Sequence, residues 1–335
     1  MNYELECPMC DGTALLQIEP GVNTFRKEEF KILSHFYKCS KCEEEFTTTE
    51  IDQINVFQVY NQYRQLHNIP SASQIKLTRE RYKLSAAKMS LILGIGQNQY
   101  SLYETGEIPN ESNSQLISLV TDPNVFKAQL IKRKSLLQPK EYNKIHDNIE
   151  KVVISKDEAQ FNLENIFFNP FSTPSEFNGF QSTSFEKFAN MVIYFLQNAF
   201  LVTRLNKFLF YADFLNYKHS GFSISGYNYA AIPLGPVPQD YKTVYDLLEE
   251  HNFISTVGYE TEYDTTEKFV QTKDFDSSLF TQLELESLEL VKQKLSPLKT
   301  KTIIDMSHEE PGWLANKDKK ELISYQKYAF YLKHF

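Results

Sequence analysis

Cysteine is scarce in this chain and confined to one end. Four occur in 335 residues, all before residue 43, so a fold stapled throughout by disulfides is excluded. No cysteine is left further along to act as a nucleophile. Glycine numbers only 11, and neither a glycine-rich phosphate loop nor a G-x-S-x-G elbow is found. Long apolar runs are missing as well. The uncharged stretch Phe188 to Thr203 contains Asn and Gln and falls short of a membrane span, so a buried helix is expected there. No N-terminal basic flank leads into an apolar core, which predicts no signal peptide and a cytoplasmic protein. What is present is ordinary for a soluble globular protein: 41% hydrophobic and 23% charged residues,. The length suggests two or three domains.

Basic charge is also in deficit, with a net charge of −8. The deficit is uneven. Residues 75–144 carry 11 basic and 6 acidic residues, a local net of +5, and "KAQLIKRK", Lys127 to Lys134, supplies four of the basic ones. Local fields rather than totals attract phosphates. A nucleic-acid partner therefore stays open for this region alone; the alternative is a solvated charged helix face.

The four cysteines form "CPMC", Cys7 and Cys10, and "CSKC", Cys39 and Cys42. Two C-x-x-C pairs can set four thiolates in a tetrahedron, each pair gripping from a tight turn. This predicts one structural Zn2+ per chain. With all four positions filled by sulfur, no open coordination site remains for catalysis. The metal is expected to hold a β-rich ribbon over residues 1–51, a domain short of its own core. His35 lies between the pairs and is expected at the surface rather than among the ligands.

Residues 52–150 are expected to form a helix-turn-helix DNA-binding domain. Apolar positions recur over Asp52–His67, and "NIPSAS" breaks that helix. Helices are then predicted over Gln74–Tyr82, Ser85–Leu93 and Gln97–Thr105, with a fourth in "SNSQLISLV". Ser85 is a candidate N-cap. Gly94 and Gly96 bracket the turn between the second and third helices, and Gly106 with Pro109 stops the third. Two short helices joined by a tight glycine turn make a helix-turn-helix, whose second helix enters the major groove. Gln97, Asn98, Gln99 and Ser101 then face base edges, and Lys88 meets a phosphate. Ile95, Tyr100 and Tyr103 are spaced to pack inward.

"LGIGQNQYSLYETGEIP" resembles the Xre/Cro-type helix-turn-helix. With the double C-x-x-C ahead of it, the N-terminal half resembles the MqsA-type antitoxins. That family's recognition helix reads roughly G-x-N-x-(aromatic)-S-R-Y-E-x-G. Asn98, Tyr100, Ser101, Tyr103, Glu104 and Gly106 match as they stand, while Leu102 occupies the arginine position. The resemblance implies dimers bound to palindromic operators.

Residues 151–182, rich in Pro, Ser, Asn and Phe, read as a connector. Helical spacing resumes at Phe185 and runs through Ala199, with Thr183 and Glu186 as a possible capping box. A second helix is predicted from Leu201, stopped by Gly221. "YNYAAIPLGPVPQDY" reads as an extended piece around a rigid Gly-Pro turn, and "NFISTVGYE" and "EKFVQTK" as a hairpin. Thr281 with Glu284 caps a later helix, and Tyr325–Phe335 reads as the last one. The ordered motifs L-x-K-x-L-x-Y-A-D (Leu205 to Asp213), G-x-x-I-x-G (Gly221 to Gly226), GPVP (Gly235 to Pro238) and S-H-x-E-x-x-W (Ser307 to Trp313) resemble the Panacea domain, the SocA-like part of many antitoxins. That resemblance implies a toxin-neutralising module over residues 183–335. Its contact region is expected where the resemblance is densest: Gly235, Pro236, Gln239, His308, Trp313 and Lys317.

"HEEPG" lacks the second histidine of a zinc-protease helix, so His308 is expected to organise the fold and no enzyme is predicted. The combined expectation is a multidomain, mainly α protein: a small β-rich zinc ribbon, a helix-turn-helix bundle, and an α+β, mostly helical Panacea domain. It would be a type II antitoxin that masks a toxin protein and represses its own operon as a homodimer, with no membrane partner. The competing readings are a zinc-containing transcription regulator whose C-terminal half senses a ligand or acts as a protein-degradation adaptor, and an enzyme centred on His308.

Overall fold

The structure is a computed structural model, and it describes residues 3–159, 167–169, 172–197, 201–260 and 265–335. The protein is mainly helical and multidomain, with a small antiparallel sheet at its N-terminal end, as the sequence predicts. Its residues divide into two compact units: Met1–Tyr63 with Ser175–Phe335, and Arg64–Pro174. The expected boundaries after residues 51, 150 and 182 do not coincide with this division.

In the first unit, β1 (Glu4–Glu6), β2 (Thr13–Phe25), β3 (Glu28–Cys39) and β4 (Glu45–Phe46) form one sheet in that order. The β2–β3 hairpin pairs Ala14 with Cys39 at one end and Phe25 with Glu28 at the other. β4 covers β3 only at Tyr37 and Lys38. The rest of that strand edge carries N–H and C=O groups that need partners. Helix α1 (Thr49–His67) supplies them from its side chains. Asn55 accepts from His35 N at 2.9 Å and donates to His35 O at 2.8 Å. Gln58 does the same for Leu33, at 2.9 and 2.8 Å, and Gln62 donates to Lys31 O at 2.9 Å. Steps of three and four along a helix match steps of two along a strand, so successive amides meet alternate residues. His35 is fully buried under this arrangement, against the expectation of a surface residue. Its ring lies against Phe330, with centroids 4.7 Å apart.

The same helix ties the ribbon to the C-terminal half. Asn61 donates to Gly221 O at 3.0 Å, Gln326 donates to Gln58 Oε1 at 3.1 Å, and Phe57 meets Phe222 edge-on. That half follows as α8 (Phe185–Leu196), α9 (Val202–Ser220), β5 (Tyr229–Ile232), β6 (Gly235–Pro238), α10 (Tyr241–Glu250), β7 (Ile254–Glu260), β8 (Thr265–Gln271), α11 (Gln282–Leu295), α12 (Thr300–His308), α13 (Pro311–Asn316) and α14 (Tyr325–Tyr328). Helix α9 is buried on every face from Arg204 to Lys218. It is the core around which α8, α11, α12 and β6 pack. A helix apolar or satisfied all round belongs at the centre of a domain.

Several sequence expectations shift here. Ser184, not Thr183, caps α8, accepting from Lys187 N. Ala199 lies outside the described residues. The Thr281–Glu284 capping box forms as expected. The hairpin forms as β7–β8. Gly235 and Pro236 are not a turn: they begin β6, and the turn is Pro233–Leu234. The last helix is α-helical only over Tyr325–Tyr328, with a 3-10 turn at Ala329–Tyr331. Beyond it the chain is held by tertiary bonds instead: Lys333 N donates to Glu310 Oε2 at 2.9 Å and Lys218 Nζ to Phe335 O at 2.6 Å.

The second unit contains α2 (Ala72–Arg81), α3 (Ala86–Leu93), α4 (Gln99–Glu104), α5 (Glu111–Leu119), α6 (Pro123–Lys132) and α7 (Pro139–Ala159). Tyr82, Met89, Ile92, Tyr100, Ile117 and Phe126 are buried in its core. The sequence reading has no α6 or α7. Helix α7 runs through position 150 and adds Ile145 and Ile149 to this core, so the first nine residues of the expected connector are helical. Residues 160–166, 170 and 171 of that connector lie outside the described residues.

Candidate metal centre and candidate binding faces

The β1–β2 and β3–β4 turns bring all four cysteines together. Their sulfurs lie within 4.8 Å of one another. Individual separations are 3.7 Å for Cys7–Cys42 and 3.5 Å for both Cys10–Cys39 and Cys10–Cys42. These are far too long for disulfides. A tetrahedral metal with bonds of about 2.3 Å to sulfur has edges of about 3.8 Å, so the set fits such an ion. The turns also point backbone donors at the sulfurs: Met9 N to Cys7, Gly12 N to Cys10 and Lys41 N to Cys39, at 3.3–3.4 Å. Such donors favour thiolates. The N–H groups of Cys42 and Lys41 pull the Cys39 thiol down to about 6. Glu44 N–H lowers Cys42, but Cys10, burial and the other thiols outweigh it and push Cys42 up to about 12. Four thiols this close cannot all ionise without a cation. The four-cysteine cluster can therefore hold a metal ion.

The second candidate face is the α3–α4 pair. Ser85 caps α3 as expected, accepting from Lys88 N at 3.2 Å, and Gly94 ends it at φ +72°. Gly96 is not in the left-handed region. Tyr100 and Tyr103 point inward, and Ser90 Oγ accepts from Tyr100 N at 3.3 Å, joining the two helices. Glu104 forms a two-point ion pair with Arg79 of α2, at 2.5 and 3.2 Å. Gln97, Asn98 and Ser101 are exposed. Asn98 sits at the N-cap of α4 with φ −105° and ψ 0°, outside the extended region from which a cap side chain reaches back, and makes no capping bond,. By contrast, Ser71, Ser85, Asn110 and Asp122 all cap their helices. Gln99 is partly committed, since its Oε1 accepts from Tyr103 OH at 2.7 Å. Lys88 is half-buried and paired with Glu141 at 2.8 Å, a contact invisible without α7.

The C-terminal motif residues mostly turn inward. Lys207, fully buried, donates to Pro236 O at 2.9 Å and so clamps β6 onto α9. Burial pushes its ammonium down to about 7,. Gly235 has φ +98°, and a Cβ there would lie 2.5 Å from Ser307 Oγ and 2.7 Å from Lys207 Cε. Asp213 is buried and accepts from Ile224 N, Ser225 N, Ser225 Oγ and Tyr229 OH at 2.6–2.8 Å. Burial raises its pKa despite these bonds. Trp313 Nε1 donates to Ile232 O at 2.7 Å, and the indole stacks on His308 with centroids 4.0 Å apart. Lys317 Nζ lies 4.9 Å over the same indole. Gln239 accepts from Asn228 Nδ2 at 3.1 Å. Gly235, Pro236 and Trp313 are thus buried parts of the fold, and the surface beside them belongs to Leu234 and Leu314, 56% and 47% exposed. Lys207 and Asp213 are the charged positions of the L-x-K-x-L-x-Y-A-D motif, and a charge inside an otherwise apolar run is the signal that marks such buried clamps.

Residues 205–314 match the family described as antitoxin SocA-like, Panacea domain. No curated protein matches the chain. The matched stretch runs from α9 to the middle of α13, the elements that Lys207, Asp213 and Trp313 hold together. Among the described residues no helix is long and apolar enough to cross a membrane.

Proposed function

We propose that this protein is the antitoxin of a type II toxin–antitoxin pair. It neutralises a cognate toxin by direct protein binding and represses its own operon. The Panacea-domain match over residues 205–314 carries the reading. Neutralisation is stoichiometric masking rather than enzymatic turnover. The toxin-contact face lies within residues 183–335, beside the β5–β6 turn. There Leu234 and Leu314 offer apolar surface next to Lys317, and the stack of buried Trp313 on half-buried His308 keeps that surface rigid. Exposed apolar groups on a rigid base suit a protein partner.

The DNA-reading segment lies within residues 52–150, with α3 and α4 as the helix-turn-helix. Gln97, Asn98 and Ser101 read base edges, with Gln99 contributing through its remaining amide group. A cytoplasmic homodimer would place two such helices on a palindromic operator. Zn2+ in the Cys7, Cys10, Cys39 and Cys42 site is structural: it supplies no reaction step, and the thiolates close the ribbon around it.

The test is coexpression with the protein encoded beside this gene, scored by growth rescue and copurification. Rescue with a stable complex is the expected result. A neighbour that is harmless alone, or that never copurifies, would sink the antitoxin reading.

A further inference from the structure

Arg133 stands apart from the other arginines. Arg64 donates to Gly106 O, Arg79 pairs with Glu104, Arg81 donates to Thr121 O, and Arg204 holds three carbonyls at the end of α11. Arg26 lies over the rings of Phe25 and Tyr63. Among the described residues the Arg133 guanidinium has no hydrogen bond, ion pair or ring contact. Yet it is not splayed into solvent. It is half-buried, with its Nη2 end against the Gly94 turn. A Cβ on Gly94 would collide with Arg133 Nη2 and sit 3.0 Å from Cζ and 3.6 Å from Nε. Sequence separates the two residues by 39 positions; packing of α6 on α3 brings them together.

The turn matters because it opens onto α4. From Gly94 to Glu104 the chain contains no Lys or Arg, so the exposed amides of Gln97 and Asn98 have no cation of their own. Three lysines of the basic region are already engaged: Lys88 with Glu141, Lys127 with Glu150, and Lys134 over the Tyr142 ring. We propose that Arg133, delivered by the end of α6 onto the Gly94 turn, binds a DNA backbone phosphate and so sets the depth and register of α4 in the groove. This rests on the DNA-reading role proposed above. The chemistry is suitable, because a planar guanidinium presents several donors to phosphate oxygens, and such contacts position a reader without carrying sequence information. Its place at the C-terminal end of α3 also suits a cation while no DNA is bound.

The experiment uses the full chain and a duplex selected by the wild-type protein from a random pool. Affinity is measured across a salt series for wild type, Arg133→Ala, Arg133→Lys and Asn98→Ala, with melting temperatures alongside. Arg133→Ala should weaken selected and unselected duplexes alike, by about tenfold. It should make the slope of log affinity against log salt shallower by about 0.9 for each bound chain. Arg133→Lys should recover most of the slope, and neither variant should move the melting temperature. If Asn98→Ala relaxes the selected sequence while Arg133→Ala leaves affinity and slope unchanged, the DNA reading stands and the phosphate contact is overturned. A loss of affinity that tracks a lowered melting temperature with an unchanged slope assigns Arg133 to the fold instead. A change of preference at one base position makes it a base reader, contrary to the proposal. Failure of the wild-type chain to select any duplex removes both.

Discussion

Two helices in this molecule display the same chemistry and use it in opposite ways. Helix α1 carries Asn55, Gln58 and Gln62, and all three amides bond to the backbone of β3. The start of α4 carries Gln97 and Asn98, whose amides are exposed and make no bond among the described residues. A polar stripe on a helix is therefore no sign of a binding face by itself. What separates the two cases is the neighbour. An uncovered strand edge must find donors and acceptors, and α1 answers that need. Helix α4 packs instead against the helices α2 and α3. The two cations Lys207 and Arg133 differ in the same way: one is buried against Pro236 O, the other lies on a surface turn.

The comparison can be broken most severely at the metal cluster. β3 is held at Cys39 by the sulfur cluster and at Leu33 and His35 by α1. Cys39→Ser should abolish stoichiometric metal binding, measured by elemental analysis. Hydrogen exchange should then accelerate near residues 7–14 and 37–46 while the amides of Leu33 and His35 remain protected. Uniform loss of protection along β3 would show that α1 holds nothing without the metal.

The inward cation gives the next largest effect. The Lys207 ammonium titrates near 7 in the folded state and at its ordinary value of 10.5 when unfolded. Between those values the unfolded chain holds more protons, so stability rises with pH. The slope reaches about 1.4 kcal/mol per pH unit. Lys207→Met should flatten this rise relative to wild type in denaturant titrations from pH 7 to 10. An unchanged slope would mean the ammonium is not desolvated.

Next comes the amide ladder. Gln58→Leu leaves the buried N–H of Leu33 without its partner and the C=O with His35 Nδ1 alone, and should destabilise by about 1–3 kcal/mol. Equilibrium unfolding measures this directly. The smallest stability effect belongs to the outward amide. Asn98→Ala should change unfolding free energy by less than about 0.5 kcal/mol. It should still lose about 1–3 kcal/mol of discrimination at one operator position. If Asn98→Ala proves as destabilising as Gln58→Leu, the contrast between the two helices is false.

Much of the local structure was legible in the sequence because its causes are local. The C-x-x-C spacing by itself puts two thiols on each tight turn. Ser85, Gly94, Gly221 and the Thr281–Glu284 pair mark helix ends because caps act within a few residues,. The ordered motifs from Leu205 to Trp313 pointed to the domain that the family match supports. Only the tertiary structure decided which polar groups are committed. His35 is buried because Asn55 covers its backbone and Phe330 its ring, from 20 and 295 residues away in the chain. Lys88 pairs with Glu141 because α7, absent from the sequence reading, packs into the second unit. Gly235 needs its positive φ and lack of a side chain because Lys207 and Ser307 occupy that space. Periodicity and caps report on the chain within one or two turns. The partner of a buried amide, ammonium or glycine Cα is set by whatever distant segment packs against it, and no local pattern encodes that choice.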